Sequence, residues 1–252
     1  MLYQPELCHV DGLGPSGGAL ESVLQVSPEA ADHHDSHTTP PQRQMAYWVW
    51  NEADALGDHV VICLHGLSRQ GRDFDCLART LYRSVPVICP DLAGRGFSDW
   101  LADPMAYQVS TYVADMVALM GKLRSQGVKT FDWVGSSLGG LVGMVLASQP
   151  DSGIRRLVLN DVGPAVDATA LQRIGTYLGM DPRFPTQEAA VAYLRQISAT
   201  FGPHTPEAWQ ALSAPMLREV DGEWRLHYDP RIAVPFRVLT AETAQALASQ
   251  SQ

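Results

Sequence analysis

Phe131-Asp132-Trp133-Val134-Gly135-Ser136-Ser137-Leu138-Gly139-Gly140-Leu141-Val142-Gly143-Met144 is the stretch on which the reading of this chain turns. An apolar strand pattern runs into Gly-x-Ser-x-Gly, with Gly135, Ser137 and Gly139 at the fixed positions, and continues as a small-residue helix. This is the pattern of a nucleophile elbow, a strand-to-helix turn so tight that the residues flanking its serine must be small. Gly135 and Gly139 meet that demand, and Gly140 lets the helix come close to the sheet. The turn is expected to push the Ser137 hydroxyl out above the sheet. It also aims the Leu138 N–H, at a helix N-terminus, toward any oxyanion forming there. Two plainer readings compete. A Gly/Ser cluster is commonly an ordinary loop. Trp133 to Pro150 is uncharged, as a membrane span would be, but its glycines, serines and central turn argue against one.

The whole chain sets the bounds. Its 252 residues make one large domain, or a domain with an insertion, and 46% apolar content is enough for a substantial core. Eighteen basic against 27 acidic residues give a net charge of −9, which disfavours nucleic acid and anionic membranes. Cys8, Cys63, Cys76 and Cys89 lack metal-ligand spacing, and Cys63 and Cys89 sit inside apolar strand patterns as buried thiols. Met1 to Leu20 has neither a basic n-region nor an apolar h-region, so a cytoplasmic location is expected. Asp32-His33-His34-Asp35-Ser36-His37 alternates histidines with acids, but a solvated extension is the stronger reading and no metal is expected. No cofactor is expected either.

Organisation follows from periodicity. Residues 1–44 are poorly patterned and read as an extension. From Met45 strands and helices alternate: strands at Ala46–Trp50, His59–Leu64, Val85–Cys89, Lys129–Gly135 and Arg156–Asn160, helices at Phe74–Arg83, Tyr112–Ser125 and Ser137–Ser148. Val113, Met116, Val117, Met120 and Leu123 supply the helical spacing of the second helix. Near-continuous apolar strands linked by crossovers predict an α/β fold with a mostly parallel sheet over residues 45–164. The alternation then stops, and Asp167–Val220 reads as almost wholly helical, giving an inserted helical cap over residues 165–226. Residues 227–252 form a shortened C-terminal segment.

Further motifs lie at the strand ends. Leu64-His65-Gly66-Leu67-Ser68 follows the first buried strand, and Gly66 permits a sharp turn that swings the Leu67 N–H toward Ser137 as a second oxyanion donor. His65 reads as a brace for that loop more readily than as a general base. Pro90-Asp91-Leu92-Ala93-Gly94-Arg95-Gly96-Phe97-Ser98-Asp99 follows the next strand and forms a tight loop at the C-terminal sheet edge, where α/β folds place their sites. Asn160-Asp161-Val162-Gly163-Pro164 puts Asp161 on the same edge as Ser137.

These four motifs, in this order, resemble the α/β-hydrolase fold superfamily, and most closely its cytosolic, cap-bearing bacterial members, over roughly residues 45–237. The resemblance implies Ser137 as nucleophile, Leu67 and Leu138 as oxyanion donors, His65, Gly66, Gly135 and Gly139 as supporting turn residues, and the cap as the cover of a small-molecule substrate. It implies hydrolysis of a carboxylic ester or related acyl compound, or, within the same chemistry, of a carbon–carbon bond. The elbow serine argues against a haloalkane dehalogenase. In this fold the acid and then the histidine come after the nucleophile. Only 22 residues lie beyond Pro230, whereas two more strand–helix units need about 60. His204 and His227 are the only histidines after the elbow. The segment bearing the acid and histidine therefore reads as lost, with Leu239–Ala244 resembling the family segment directly after the acid. Asp161 is the one well-placed carboxylate left, although tying down its own turn is the stronger role for it. The competing class is accordingly a catalytically incompetent relative or a non-enzymatic binding module, with the strand ending at Asn160 left as an exposed edge.

Overall fold

The computed structural model describes residues 6–13, 43–52, 55–163 and 168–238. Six strands form the main sheet: β1 (Glu6–Leu13), β2 (Arg43–Trp50), β3 (His59–Leu64), β4 (Val87–Pro90), β5 (Thr130–Ser136) and β6 (Ile154–Asn160). Their order is β1-β2-β4-β3-β5-β6. β4, β3, β5 and β6 run parallel, while β2 is antiparallel to both β1 and β4. The α/β fold with a mostly parallel sheet is thus the one that the apolar runs predict.

The sheet is covered on both faces because its strands alternate their side chains. Val60, Ile62 and Leu64 of β3 join a core with Met116, Leu119 and Leu123 of α2 (Val109–Ser125) and Val142 and Leu146 of α3 (Leu138–Ala147). Val61 and Cys63 face the other way and pack with Trp50, Val87, Cys89 and Ala78 of α1 (Asp75–Leu81). On α2 the buried stripe takes in Leu119, and Val117, expected inside, is exposed. A stripe with period 3.6 through Met116 and Leu123 reaches Leu119 and Met120 before it reaches Val117.

Two parts of the sequence reading need correction. Glu6–Leu13, read within a patternless extension, is an antiparallel strand on β2. Its pairing is held by backbone hydrogen bonds at one edge, which leaves no long apolar run to see. The segment read as helical holds α4 (Ala168–Gly175), α5 (Gln187–Ile197) and α6 (Pro206–Ser213), and also a small antiparallel sheet of β7 (Arg183–Phe184), β8 (Leu217–Val220) and β9 (Glu223–Leu226) in the order β7-β9-β8. Asp221-Gly222 closes the β8–β9 hairpin with both residues at positive φ, 54° and 77°. That dipeptide is the short-range hairpin signal, and it was available in the sequence. Thr205 caps α6, accepting from the Ala208 N–H at 3.2 Å, with Pro206 at the first helical position. Pro230–Ile232 is a 3₁₀ turn that continues helically through residue 238. The Asp32–His37 motif and the Leu239–Ala244 likeness lie outside the described residues.

β6 is the outer strand on its side of the described sheet, with Val158 54% and Leu159 37% exposed. No helix among the described residues is long and apolar enough to cross a membrane, and no described group of histidines, cysteines and acids is placed to hold a metal.

Candidate active site

Ser137 stands between β5 and α3 with φ 48° and ψ −114°, a positive φ that a side-chain-bearing residue rarely adopts. Packing holds this strained turn in place. A Cβ on Gly135 would collide with the Gly139 carbonyl, and one on Gly139 would collide with the Leu64 carbonyl at the end of β3. One on Gly140 would strike Val162. Three glycines therefore let α3 start directly against the strand it leaves. The Ser137 N–H donates to Asn160 O at 2.9 Å, fixing the turn to the end of β6. The Ser137 hydroxyl bonds to none of the described residues, and neither the Leu67 nor the Leu138 N–H has a described partner.

The turn after β3 lies against this serine. A Cβ on Gly66 would sit 3.6 Å from the Ser137 Cβ. His65 is fully buried, and both its ring nitrogens are used. Nδ1 lies 2.7 Å from Gly66 O, while Nε2 accepts the Leu92 N–H at 3.0 Å. The second bond fixes the tautomer, so Nδ1–H donates to Gly66 O. The Arg69 N–H also donates to that carbonyl, at 3.2 Å. A trans peptide points its C=O and N–H in opposite directions. Holding Gly66 O on one side therefore turns the Leu67 N–H to the other. Arg95, also fully buried, holds the next carbonyl, Leu67 O, through Nε at 2.9 Å, with Nη1 on Ala93 O and the Tyr112 hydroxyl. The sequence marked Arg95 only as the centre of a tight loop. Its grip on the Leu67 peptide joins residues far apart in the chain and left no local signal.

Burial pushes the His65 pKa down to about 3, with Arg95 and Arg69 adding to the effect against the Gly66 bond. His65 is therefore neutral and cannot take a proton near neutral pH. The consequence for stability is one-sided: the unfolded imidazole gains its proton near pH 6.5, the folded one only near 3, so stability drains as pH falls between them. Asp91 acts in the opposite sense. Burial raises its carboxyl to about 6 despite bonds from the Gly71 and Phe97 N–H groups, so it stabilises the fold as pH drops from 6 toward 3.8. Comparing the parent with His65→Gln isolates the first effect. The stability advantage of the parent is expected to shrink by roughly 3 kcal/mol between pH 7 and pH 4 in urea unfolding. A pH-independent difference would show that folded His65 titrates normally.

Asp161 directly follows β6, exposed and at φ 54°, and makes no hydrogen bond or ion pair among the described residues. It meets no histidine that it could orient. The remaining described histidines are engaged elsewhere. His59 Nδ1 lies 3.0 Å from Thr130 Oγ1, and Nε2 lies 3.2 Å from Asp132 Oδ2. His204 packs edge-on to Trp209 and His227 edge-on to Phe97. Arg69, just past the Gly66 turn, ion-pairs with Asp73 at 2.6 Å, reaches Leu212 O at 3.4 Å and lies 5.6 Å from the Phe201 ring. Among the aromatics of the cap, Trp209 is buried while Phe201 is exposed, and Phe184 stacks on Tyr193.

Comparison with known proteins places this geometry. The 3-hydroxybutyrate-oligomer hydrolase of Cupriavidus necator is 51% identical over 207 residues, which are 81% of this chain and 69% of that protein. Lipase LipV of Mycobacterium tuberculosis is 34% identical over 114 residues, 45% of this chain and 41% of that one. The crystal structure of an alpha/beta hydrolase from Novosphingobium aromaticivorans superposes with a TM-score of 0.73 at 28% identity, covering 94% of this chain and 73% of the other. The sequence model of the alpha/beta hydrolase fold matches residues 59–207, the span from the start of β3 through the elbow and into the cap. With that span, and with a sheet whose parallel strands lead into an elbow serine, this chain belongs to the α/β-hydrolase fold family.

Proposed function

We propose that the site acts on carboxylic esters with Ser137 as nucleophile, and that its substrates are short esters of hydroxy acids such as 3-hydroxybutyrate oligomers. The observation that carries this reading is the strained φ of Ser137 at an elbow faced by the Gly66 turn. The oligomer hydrolase that is 51% identical over 207 residues supports the substrate class. In the proposed reaction Ser137 Oγ gives its proton to a base supplied from solvent as it attacks the ester carbonyl, and the N–H groups of Leu67 and Leu138 receive the oxyanion. Collapse of the tetrahedral adduct returns that proton to the departing alcohol and leaves an acyl-serine, which water then hydrolyses to the free acid and Ser137. His65 and Arg95 are positioning residues that orient the Leu67 peptide. The cap covers the acyl group.

The Oγ proton needs an acceptor within hydrogen-bond reach, and no described histidine occupies that place. The same observation favours a second reading, in which the chain binds such ligands without turning them over. A fluorophosphonate probe separates the two. Slow labelling confined to the Ser137 peptide, faster with added imidazole and absent in Ser137→Ala, is expected. No label even with imidazole would leave only the binding reading, and a label on another serine would overturn the assignment of Ser137.

A further inference from the structure

A cavity of about 370 Å³ opens between the cap and the β2 side of the sheet, away from the elbow. Its walls include Trp48, Gln70, Phe97, Leu217, Arg218 and His227, and it shares no lining residue with Ser137, Gly66, Leu67 or Leu138. The cavity is held in shape where cap and core are joined. The Gly96 N–H donates to His227 O at 3.0 Å, and Arg95 bridges to Tyr228. Its volume lies in the range of small-molecule sites.

The chemistry of the walls is specific. Phe97 stands edge-on to Trp48 at 5.6 Å and to His227 at 5.0 Å, which with Leu217 makes one side apolar. Burial lowers the pKa of His227 and keeps that ring neutral at neutral pH. Arg72 also lines the cavity, 4.7 Å over Trp48, but its charge is met by Asp75 at 2.6 Å. Arg218 is different. Its guanidinium lies 5.0 Å over Trp100, its Nε is buried without a partner, and it has no ion pair among the described residues. Gln70 is 1% exposed, and both its amide nitrogen and its amide oxygen are buried without a partner. A buried amide with neither donor nor acceptor satisfied is costly, and native proteins seldom keep one without a use.

One kind of ligand satisfies all of these groups. A carboxylate pairs with Arg218, a hydroxyl both accepts from and donates to the Gln70 amide once that side chain turns out of the wall, since its polar atoms are closed off from the ligand-free cavity, and a short alkyl chain lies on Trp48, Phe97 and Leu217. We infer that this cavity binds a short-chain hydroxyalkanoate at a site separate from Ser137. That is the acid which the proposed hydrolysis would release, so the choice of ligand rests on that reading, whereas the Arg218 guanidinium without an ion pair and the unpartnered Gln70 amide do not.

The test is calorimetric titration of sodium 3-hydroxybutyrate, and of butyrate in parallel, into the parent chain and single variants. Binding is expected at equal affinity in the parent and in Ser137→Ala, with butyrate weaker. Arg218→Gln should weaken both acids by about tenfold or more, the size of a lost charge-assisted bond. Gln70→Leu should abolish the preference for 3-hydroxybutyrate over butyrate without lowering the melting temperature of the ligand-free chain, because it removes an unpartnered amide. Absence of binding, unchanged affinity in Arg218→Gln, or loss of binding in Ser137→Ala would each overturn the site. If titration fails while the fluorophosphonate labels Ser137, the cavity assignment falls and the ester reading stands. If labelling fails while titration succeeds, the reverse holds.

Discussion

Gly139→Ala is expected to destabilise the chain by about 4 kcal/mol or more, enough to prevent its accumulation as a folded protein. The added methyl has no free direction. It would meet the carbonyl oxygen and carbon of Leu64 and lie 2.9 Å from His65 O, all of them backbone atoms. Leu64 is held in the sheet opposite Gly135 of β5, so it cannot retreat without breaking a central ladder. The helix cannot retreat either. A Cβ on Gly143 one turn later would already meet Trp133, whose indole Nε1–H donates to Gly139 O at 3.0 Å. Lifting α3 would therefore break that bond and open a gap in a core that proteins pack to crystal-like density. Gly121 provides the internal control. It lies inside α2 with nothing within 4 Å of its would-be Cβ. Gly121→Ala should raise stability by about 0.5–1 kcal/mol, because alanine loses less backbone entropy in a helix. Urea unfolding of both variants is the measurement. A Gly139→Ala midpoint close to that of the parent would show that the strand–helix approach is looser than the fold requires.

The elbow could be read from sequence because its pattern is compact, even though its reasons are not all local. Gly135 answers to Gly139 a few residues on, but Gly139 answers to Leu64 at the end of β3 and Gly140 to Val162 past β6, and the geometry leaves no other residue type. The central strands were legible for a related reason: burial on both faces demands unbroken apolar runs such as His59–Leu64. Where pairing or polarity works at a single edge, that pressure vanishes, and β1 went unseen. The β8–β9 hairpin was a different failure, since Asp221-Gly222 announced it and the helical pattern around it was given more weight. In the site, Gly66 and His65 were legible in role because a histidine before a turn glycine has few other uses. Arg95 and Gln70 were not. Each gains its meaning from groups tens of residues distant, Leu67 and Tyr112 for the first and the Phe97, Arg218 and His227 wall for the second. Convergence of that kind belongs to the tertiary structure alone.

A chain of these 252 residues is expected to hydrolyse p-nitrophenyl butyrate slowly, and Ser137→Ala is expected to lose the small part of that rate that the serine carries. A serine hydroxyl is a weak nucleophile until a base takes its proton, and the base must stand within about 3 Å of it. His65 is the nearest histidine in sequence to the oxyanion turn. Both its nitrogens are committed to Gly66 O and the Leu92 N–H, and its pKa of about 3 keeps it from accepting a proton. His59 opens β3 at the end opposite Leu64 and is engaged with Thr130 and Asp132. His204 and His227 stack against Trp209 and Phe97 in and beside the cap. His9 belongs to β1, at the far edge of the sheet from β6. The described groups thus leave only the proposed oxyanion donors, Leu67 and Leu138, and binding; in serine hydrolases an oxyanion hole and binding retain about 10³–10⁴-fold acceleration over water, while loss of the base forfeits most of a factor of about 10⁶. Imidazole in the buffer should raise the rate of the parent further above that of Ser137→Ala, since a diffusing base can take the Oγ proton and finds nothing to activate in the alanine variant. A rate at the level of a complete triad, vanishing in Ser137→Ala, would overturn this expectation. It would mean that a histidine elsewhere in the chain, or one from a partner chain, reaches Ser137 in solution.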